Sequence, residues 1–150
     1  MDLSGQSQLE APRGAVWDLL TDIRRLADCG PGSAGLQILD DRHARIQTRL
    51  GGGLMATGLT LDLALDESAP PDRLTLTARG QAAGTRIDGS AVILLSGPEA
   101  GPTTLDWRAT LRLAGSFAGI GERMLEGTAR PAVERALDCL RTQLARPAGA

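Results

Sequence analysis

Few side chains in this sequence are suited to chemistry, and their spacing does not assemble a site. His43 is the single histidine, in the polar stretch Asp41-Arg42-His43, which reads as a solvated turn. A catalytic imidazole needs a nucleophile within reach and a group that orients it. Pairing His43 with Cys29 is unattractive, because nothing local activates that thiol. Cys29 and Cys139 stand far apart in the chain, with no C-x-x-C and no Cys/His cluster. A zinc site takes about four closely arranged ligands, so no metal is expected, and both cysteines are expected as free thiols in a reducing compartment. Gly51-Gly52-Gly53 would suit a phosphate cradle, but a P-loop requires G-x-x-x-x-G-K-[ST] and the chain has no lysine. A turn or bulge is expected there. Asp40, Asp41, Asp62 and Asp66 fall in turns or on outward strand positions. General acid–base work needs a carboxylate in a drier place with a shifted pKa. No catalytic residue and no cofactor are therefore expected.

The elements around these residues follow from periodicity. Leu3, Gly5, Ser7 and Leu9 share one parity and predict a short first strand. Ala11-Pro12-Arg13 opens a helix, with proline in the first turn, where its missing N–H costs nothing. Val16, Leu19, Leu20 and Ile23 recur at helical spacing beside Trp17. Asp22 predicts an N-cap for a second short helix, Ile23 to Ala27, and Gly30-Pro31-Gly32 stops it. The period then becomes two. Strands are predicted around Leu36–Leu39, Ala44–Leu50, Leu59–Leu65, Leu74–Ala78, Ile87–Leu95 and Leu105–Leu113, with turns between them. Clean alternation of this kind marks antiparallel strands with one buried and one wet face. Helical spacing returns with Ile120, Met124, Thr128, Val133, Leu137, Leu140 and Leu144, and Pro131 inside this helix should kink it.

Strand, two short helices, six further strands and a long helix make an α+β chain of about seven strands. A bent antiparallel meander wrapped around the last helix buries every inward position. This is the helix-grip arrangement, which holds a cavity between sheet and helix. The 150 residues suit a single domain, expected over 1–146 with 147–150 as a frayed tail.

Composition excludes several classes. Hydrophobic residues are 42% and charged residues 23%, which disfavours disorder. A net charge of −2 argues against a nucleic-acid partner, which needs a basic face. No apolar run approaches the roughly 18 residues of a membrane span, and the first residues, Met1-Asp2-Leu3-Ser4-Gly5-Gln6, do not read as a secretory signal. A cytoplasmic, soluble protein is expected.

The inward positions are the remaining candidates. Leu59, Leu61, Leu63, Leu76, Ile93, Trp107, Ala109, Leu111, Met124 and Thr128 read either as close-packed core or as the lining of an apolar ligand pocket. Small inward residues (Gly89, Ala91, Ala109) and scarce aromatics leave room, and methionine adapts to irregular space. On the pocket reading, Trp107 and Met124 face the cavity. Phe117 and Ile120, in the glycine-rich start of the last helix, would sit near its mouth.

Several stretches resemble a known family. Ala11-Pro12-Arg13 with Val16-Trp17-Asp18-Leu19-Leu20-Thr21-Asp22 resembles the opening of START/Bet v 1-like (SRPBCC) domains. Cys29-Gly30-Pro31-Gly32 resembles the C-x-P-G segment of CoxG-like proteins, a family named for a carbon monoxide dehydrogenase subunit. Gly89-Ser90-Ala91 resembles their G-S-A strand, and Gly119 to Arg130 resembles the start of their C-terminal helix. The resemblance implies a helix-grip protein that serves a molybdenum hydroxylase of the carbon monoxide dehydrogenase type, some members holding a quinone- or lipid-like molecule. Gly30 replaces the family's aliphatic residue, and Pro131 falls where the family has a helix former. The chain ends soon after Leu144, without the longer tail that would favour peripheral membrane contact. The expectation is a non-enzymatic accessory protein with a small hydrophobic ligand. The alternatives are a cyclase- or dehydratase-type enzyme on the same scaffold, and an interaction module with a filled core. Ligand identity and oligomeric state are left open.

Overall fold

The computed structural model describes residues 1–29, 35–50, 57–69, 72–82, 84–115 and 118–145. The elements are β1 (Asp2–Leu9), α1 (Arg13–Leu20), α2 (Ile23–Asp28), β2 (Gly35–Asp40), β3 (His43–Leu50), β4 (Thr57–Ala69), β5 (Arg73–Ala82), β6 (Thr85–Ser96), β7 (Thr103–Gly115) and α3 (Ala118–Ala145). The expected turns at Gly30-Pro31-Gly32, Gly51-Gly52-Gly53 and Pro70-Pro71, and the tail at 147–150, lie outside the described residues.

Local chemistry sets the boundaries. Pro12 is extended (φ −60°, ψ 148°) and serves as the N-cap of α1. Its carbonyl accepts the Val16 N–H at 3.1 Å, so the proline precedes the first turn instead of lying within it. Asp22 caps α2 as expected, its Oδ1 accepting the N–H of Arg24 at 3.1 Å and of Arg25 at 3.4 Å. Asp40 folds its carboxylate back over the Asp41-Arg42 turn: Oδ1 accepts the Arg42 N–H at 2.8 Å and lies 2.8 Å from His43 Nδ1. The Arg42 N–H and then His43 hold this carboxyl below its ordinary pKa. His43 opens β3, paired with Asp40, so it is a strand residue beside the turn, and it is solvent-exposed as expected.

All seven strands pair antiparallel in one sheet ordered β1-β7-β6-β5-β4-β3-β2. Strands β2 to β7 form a meander, and β1 returns to the free edge of β7. The outer face carries an alternating charge ladder. Arg45, Asp62, Arg79, Asp88 and Arg112 stand opposite one another on successive strands. Arg45 Nε donates to Asp62 Oδ1 at 2.7 Å, and Arg79 lies 3.9 Å from Asp88. Exposed pairs like these add little stability each, but a one-residue slip would send every side chain to the wrong face.

The main core joins both layers. Val16, Leu19, Leu20 and Ile23 pack with Leu65, Leu74, Ile93, Leu95, Leu105 and Trp107 from the sheet and with Leu137 and Leu140 from α3. Gly101 (φ +90°) passes so close to α1 that an added Cβ would lie 2.6 Å from the Ala11 carbonyl oxygen. Fully buried Thr103 donates from Oγ1 to that same oxygen at 2.8 Å. Helix α3 continues through Pro131, which is exposed. It runs against β7, β1 and α1, while α2 lies on β3 and β2.

The cysteines correct the expectation of free thiols. Cys29 at the end of α2 and Cys139 in α3 form a disulfide, with Cα atoms 5.5 Å apart. The fold closes a 110-residue separation, which spacing along the chain could not reveal.

Candidate functional site

The site is built from the sheet's inner face, where register fixes each neighbour. One row across the sheet runs Ala44, Leu63, Ala78, Gly89 and Leu111. The next runs Leu65, Leu76, Ala91, Ala109 and Leu3. A third runs Leu74, Ile93, Trp107 and Gly5. Gly89 and Ala91 alternate along β6, so Ala78, Gly89, Ala91 and Ala109 form a continuous floor of small residues between leucines.

Burial along this face is uneven. The row of Leu74, Ile93 and Trp107 is dry, with Trp107 8% exposed. At the opposite end Leu59 and Ile87 are buried, with Leu61, Leu111 and Leu113 packed against them. Leu63, Leu76, Ala78, Gly89, Ala91 and Ala109 are only half-buried, Leu76 and Ala109 among them packed against the main core. These residues face inward on central strands, where a filled core would be driest. Two separate buried clusters thus flank a less buried stretch of the inner face.

The expected lining residues whose side chains are described fall in three places. Leu63, Leu76 and Ala109 lie on the half-buried floor. Leu59, Leu61 and Leu111 belong to one end cluster, and Ile93 and Trp107 to the dry end. Ile120, Met124 and Thr128 lie on α3, but their side chains are outside the described residues, as is all of Phe117. The sequence reading left Leu3, Ala78 and Leu113 out of the lining. Leu3 and Ala78 are neighbours of Ala109 and Leu63 by register, a signal that appears only once strands are paired.

Trp107 owes its position to a glycine. A Cβ on Gly5 would meet Trp107 Cζ2 and Nε1 at 2.8 Å, so the indole lies flat across the glycine of β1. The floor carries no ionisable side chain. A groove of the outer face is lined by His43, Asp62, Arg79, Asp88, Ser90 and Arg112, and reaches Leu63, Ala78 and Gly89 of the floor strands as well. Among the described residues, no group of three or more His, Cys, Asp or Glu could hold a metal ion. No helix among them is long and apolar enough to cross a membrane.

A second cluster, missed in the sequence, surrounds the disulfide. Gln143 Nε2 donates to the Arg25 carbonyl at 3.0 Å and to Cys29 Sγ at 3.1 Å, and Arg25 Nε donates to Gln143 Oε1 at 3.1 Å. Gln143 stands four residues after Cys139 on α3, a visible i,i+4 spacing that meant nothing before α2 was placed beside it.

Known structures share this architecture. A conserved protein from Geobacillus kaustophilus superposes with a TM-score of 0.82 at 21% identity, over 97% of this chain and 95% of that one. An aromatase/cyclase from a Streptomyces species gives 0.68 at 17% identity, over 100% and 98%. A START superfamily protein from Mycobacterium smegmatis gives 0.64 at 13% identity, over 95% and 96%. At these identities the likeness is one of fold, the START/Bet v 1-like helix grip. A comparison with curated proteins finds no match. The family pattern of CoxG, a carbon monoxide dehydrogenase subunit, matches residues 5–145. With nearly the whole chain matched and the helix-grip fold in place, this protein belongs to the CoxG family.

Proposed function

We propose that this chain is a non-enzymatic, cytoplasmic accessory protein that holds a small hydrophobic molecule, quinone- or lipid-like, between sheet and α3, and that it serves a molybdenum hydroxylase of the carbon monoxide dehydrogenase type. The observation that carries the reading is the half-buried floor of Leu63, Leu76, Ala78, Gly89, Ala91 and Ala109. An apolar inner surface left partly wet has a free-energy gain waiting, about 25 cal/mol for each Å² an apolar ligand covers. Trp107 forms the wall between this floor and the dry core. Leu59, Leu61 and Leu111 close the other end, and Phe117, Ile120, Met124 and Thr128 are assigned to the helix side. The floor offers a ligand no charge, which favours carriage over acid–base chemistry. The family's name, a carbon monoxide dehydrogenase subunit, supports the choice of partner enzyme.

The test is native against denaturing mass spectrometry on freshly purified protein, with the solvent extract identified. A stoichiometric apolar molecule lost on denaturation is the expected result. A clean apo mass, with no uptake of added ubiquinone-1 or of a medium-chain fatty acid, would overturn the carrier reading. A pull-down against a molybdenum hydroxylase would then decide whether partner docking stands without a ligand.

A further inference from the structure

We infer that Cys29–Cys139 is an exchangeable thiol-modification site with a built-in direction: an incoming dithiol attacks Cys139, and Cys29 leaves as the thiolate. The inference stands apart from the hydrophobic-ligand reading, and its test contains no ligand.

Two asymmetries carry it. The first is access. Cys29 is 7% exposed, held at the end of α2 by its N–H to the Leu26 carbonyl, whereas Cys139 on α3 is half-buried. A nucleophile in solvent therefore meets Cys139 first. The second is what each sulfur receives. Gln143 Nε2 donates to both sulfurs, but the bond to Cys29 Sγ is the shorter, 3.1 Å against 3.8 Å to Cys139 Sγ. The opposite end of that amide accepts from the Arg25 guanidinium at 3.1 Å, which polarises the amide toward the sulfur. A hydrogen bond to the charged form lowers a group's pKa, and the thiol of lower pKa leaves faster in thiol–disulfide exchange. The Arg25–Gln143 relay thus favours Cys29 as the leaving sulfur.

The chemistry balances with a dithiol reductant of the thioredoxin class. Its thiolate bonds to Cys139 Sγ as the Cys29–Cys139 bond breaks, and Cys29 departs with the electron pair. The reductant's second thiolate then attacks its own sulfur in the mixed disulfide, releasing Cys139 as a thiolate. Two electrons and two protons reach the protein, and the reductant ends as a disulfide. The product keeps the hydrogen bonds between Arg25 and Gln143 across the α2–α3 seam. The covalent tie between the two helices is gone. This bond has the access and the leaving group for reversible thiol exchange.

The test uses the full oxidised chain without denaturant. It is exposed briefly to glutathione, then quenched with iodoacetamide and mapped by peptide mass spectrometry. The expected product carries glutathione on Cys139 and carbamidomethyl on Cys29. The reverse labelling, an equal mixture, or no exchange short of denaturation would each overturn the inference. Gln143→Ala gives an independent reading. Loss of the leaving-group hydrogen bond should slow exchange, on the order of threefold to tenfold. If Gln143 were only a structural brace, the variant would loosen the seam and speed exchange, and that result would also overturn the proposal. Circular dichroism checks that the variant is folded.

Discussion

The contact between Gly5 and Trp107 allows a quantitative test of the inner face. An alanine Cβ at position 5 would lie 2.8 Å from Cζ2 and Nε1 of the indole and 2.9 Å from Cε2, where carbon contacts settle at about 3.5–4.0 Å. The ring must therefore retreat by roughly 0.7 Å or more. Trp107 is 8% exposed and packed into the main core, so it has little room. Overpacking of this kind costs about 1–3 kcal/mol. Alanine returns about 0.5–1 kcal/mol over glycine within a strand, leaving a net loss for Gly5→Ala of about 0–2.5 kcal/mol. Trp107→Ala alone should cost about 3–5 kcal/mol. In the Trp107→Ala background the obstacle is gone, and Gly5→Ala should be neutral or stabilising by about 0.5–1 kcal/mol. The cycle should then show a coupling of about 1–3 kcal/mol. Urea unfolding followed by far-ultraviolet circular dichroism measures all four proteins, with constant m-values confirming two-state comparison. Costs of Gly5→Ala that agree in both backgrounds within about 0.5 kcal/mol would show that Trp107 does not lie over Gly5. The register of β1 on β7, and the inner face built on it, would then be wrong.

Other expectations follow from the same geometry. Ala91→Leu places a large side chain on the floor: in an open concavity it should change stability by less than about 1 kcal/mol and suppress uptake of an apolar probe, whereas in a filled core it would cost about 1–3 kcal/mol. Trp107→Ala should also alter probe affinity, and an unchanged affinity together with unchanged stability would refute its inward placement. Thr103→Val leaves the buried Ala11 carbonyl without its 2.8 Å donor and should lower stability by about 1–3 kcal/mol in the same urea assay. Reduction of Cys29–Cys139 frees a 110-residue loop in the unfolded chain, and chain entropy sets the loss at up to about 4.7 kcal/mol, read as a drop in urea midpoint with reductant. The lowered pKa of Asp40 means that its contribution is present above the ordinary carboxylate value and lost as pH falls through the folded one. Carboxyl NMR should find its midpoint below 3.8, with His43→Ala raising it. A midpoint at or above 3.8 would contradict the Asp40 geometry.

Residue order alone was enough to define the elements and the sidedness of the sheet. Alternation of Leu59, Leu61, Leu63 and Leu65 against Thr60, Asp62, Ala64 and Asp66 needs only the two-residue repeat of a strand. The Asp22 cap needs only its own next few residues, and both are local properties that any fold must respect. The resemblance of the chain's opening and final helix to CoxG-like proteins also lay in short stretches of residues. Everything set by distance across the fold had to wait for the packed chain. Cys29 and Cys139 became a disulfide because α2 and α3 meet, and no local signal encodes that meeting. Gln143 acquired a role for the same reason. Leu63 and Ile93 are both inward aliphatic residues in the sequence, yet one lies on the wetter floor and the other in the dry core. Parity says which way a side chain points, but burial depends on what packs opposite, and that is set by where α1, α2 and α3 settle on the sheet.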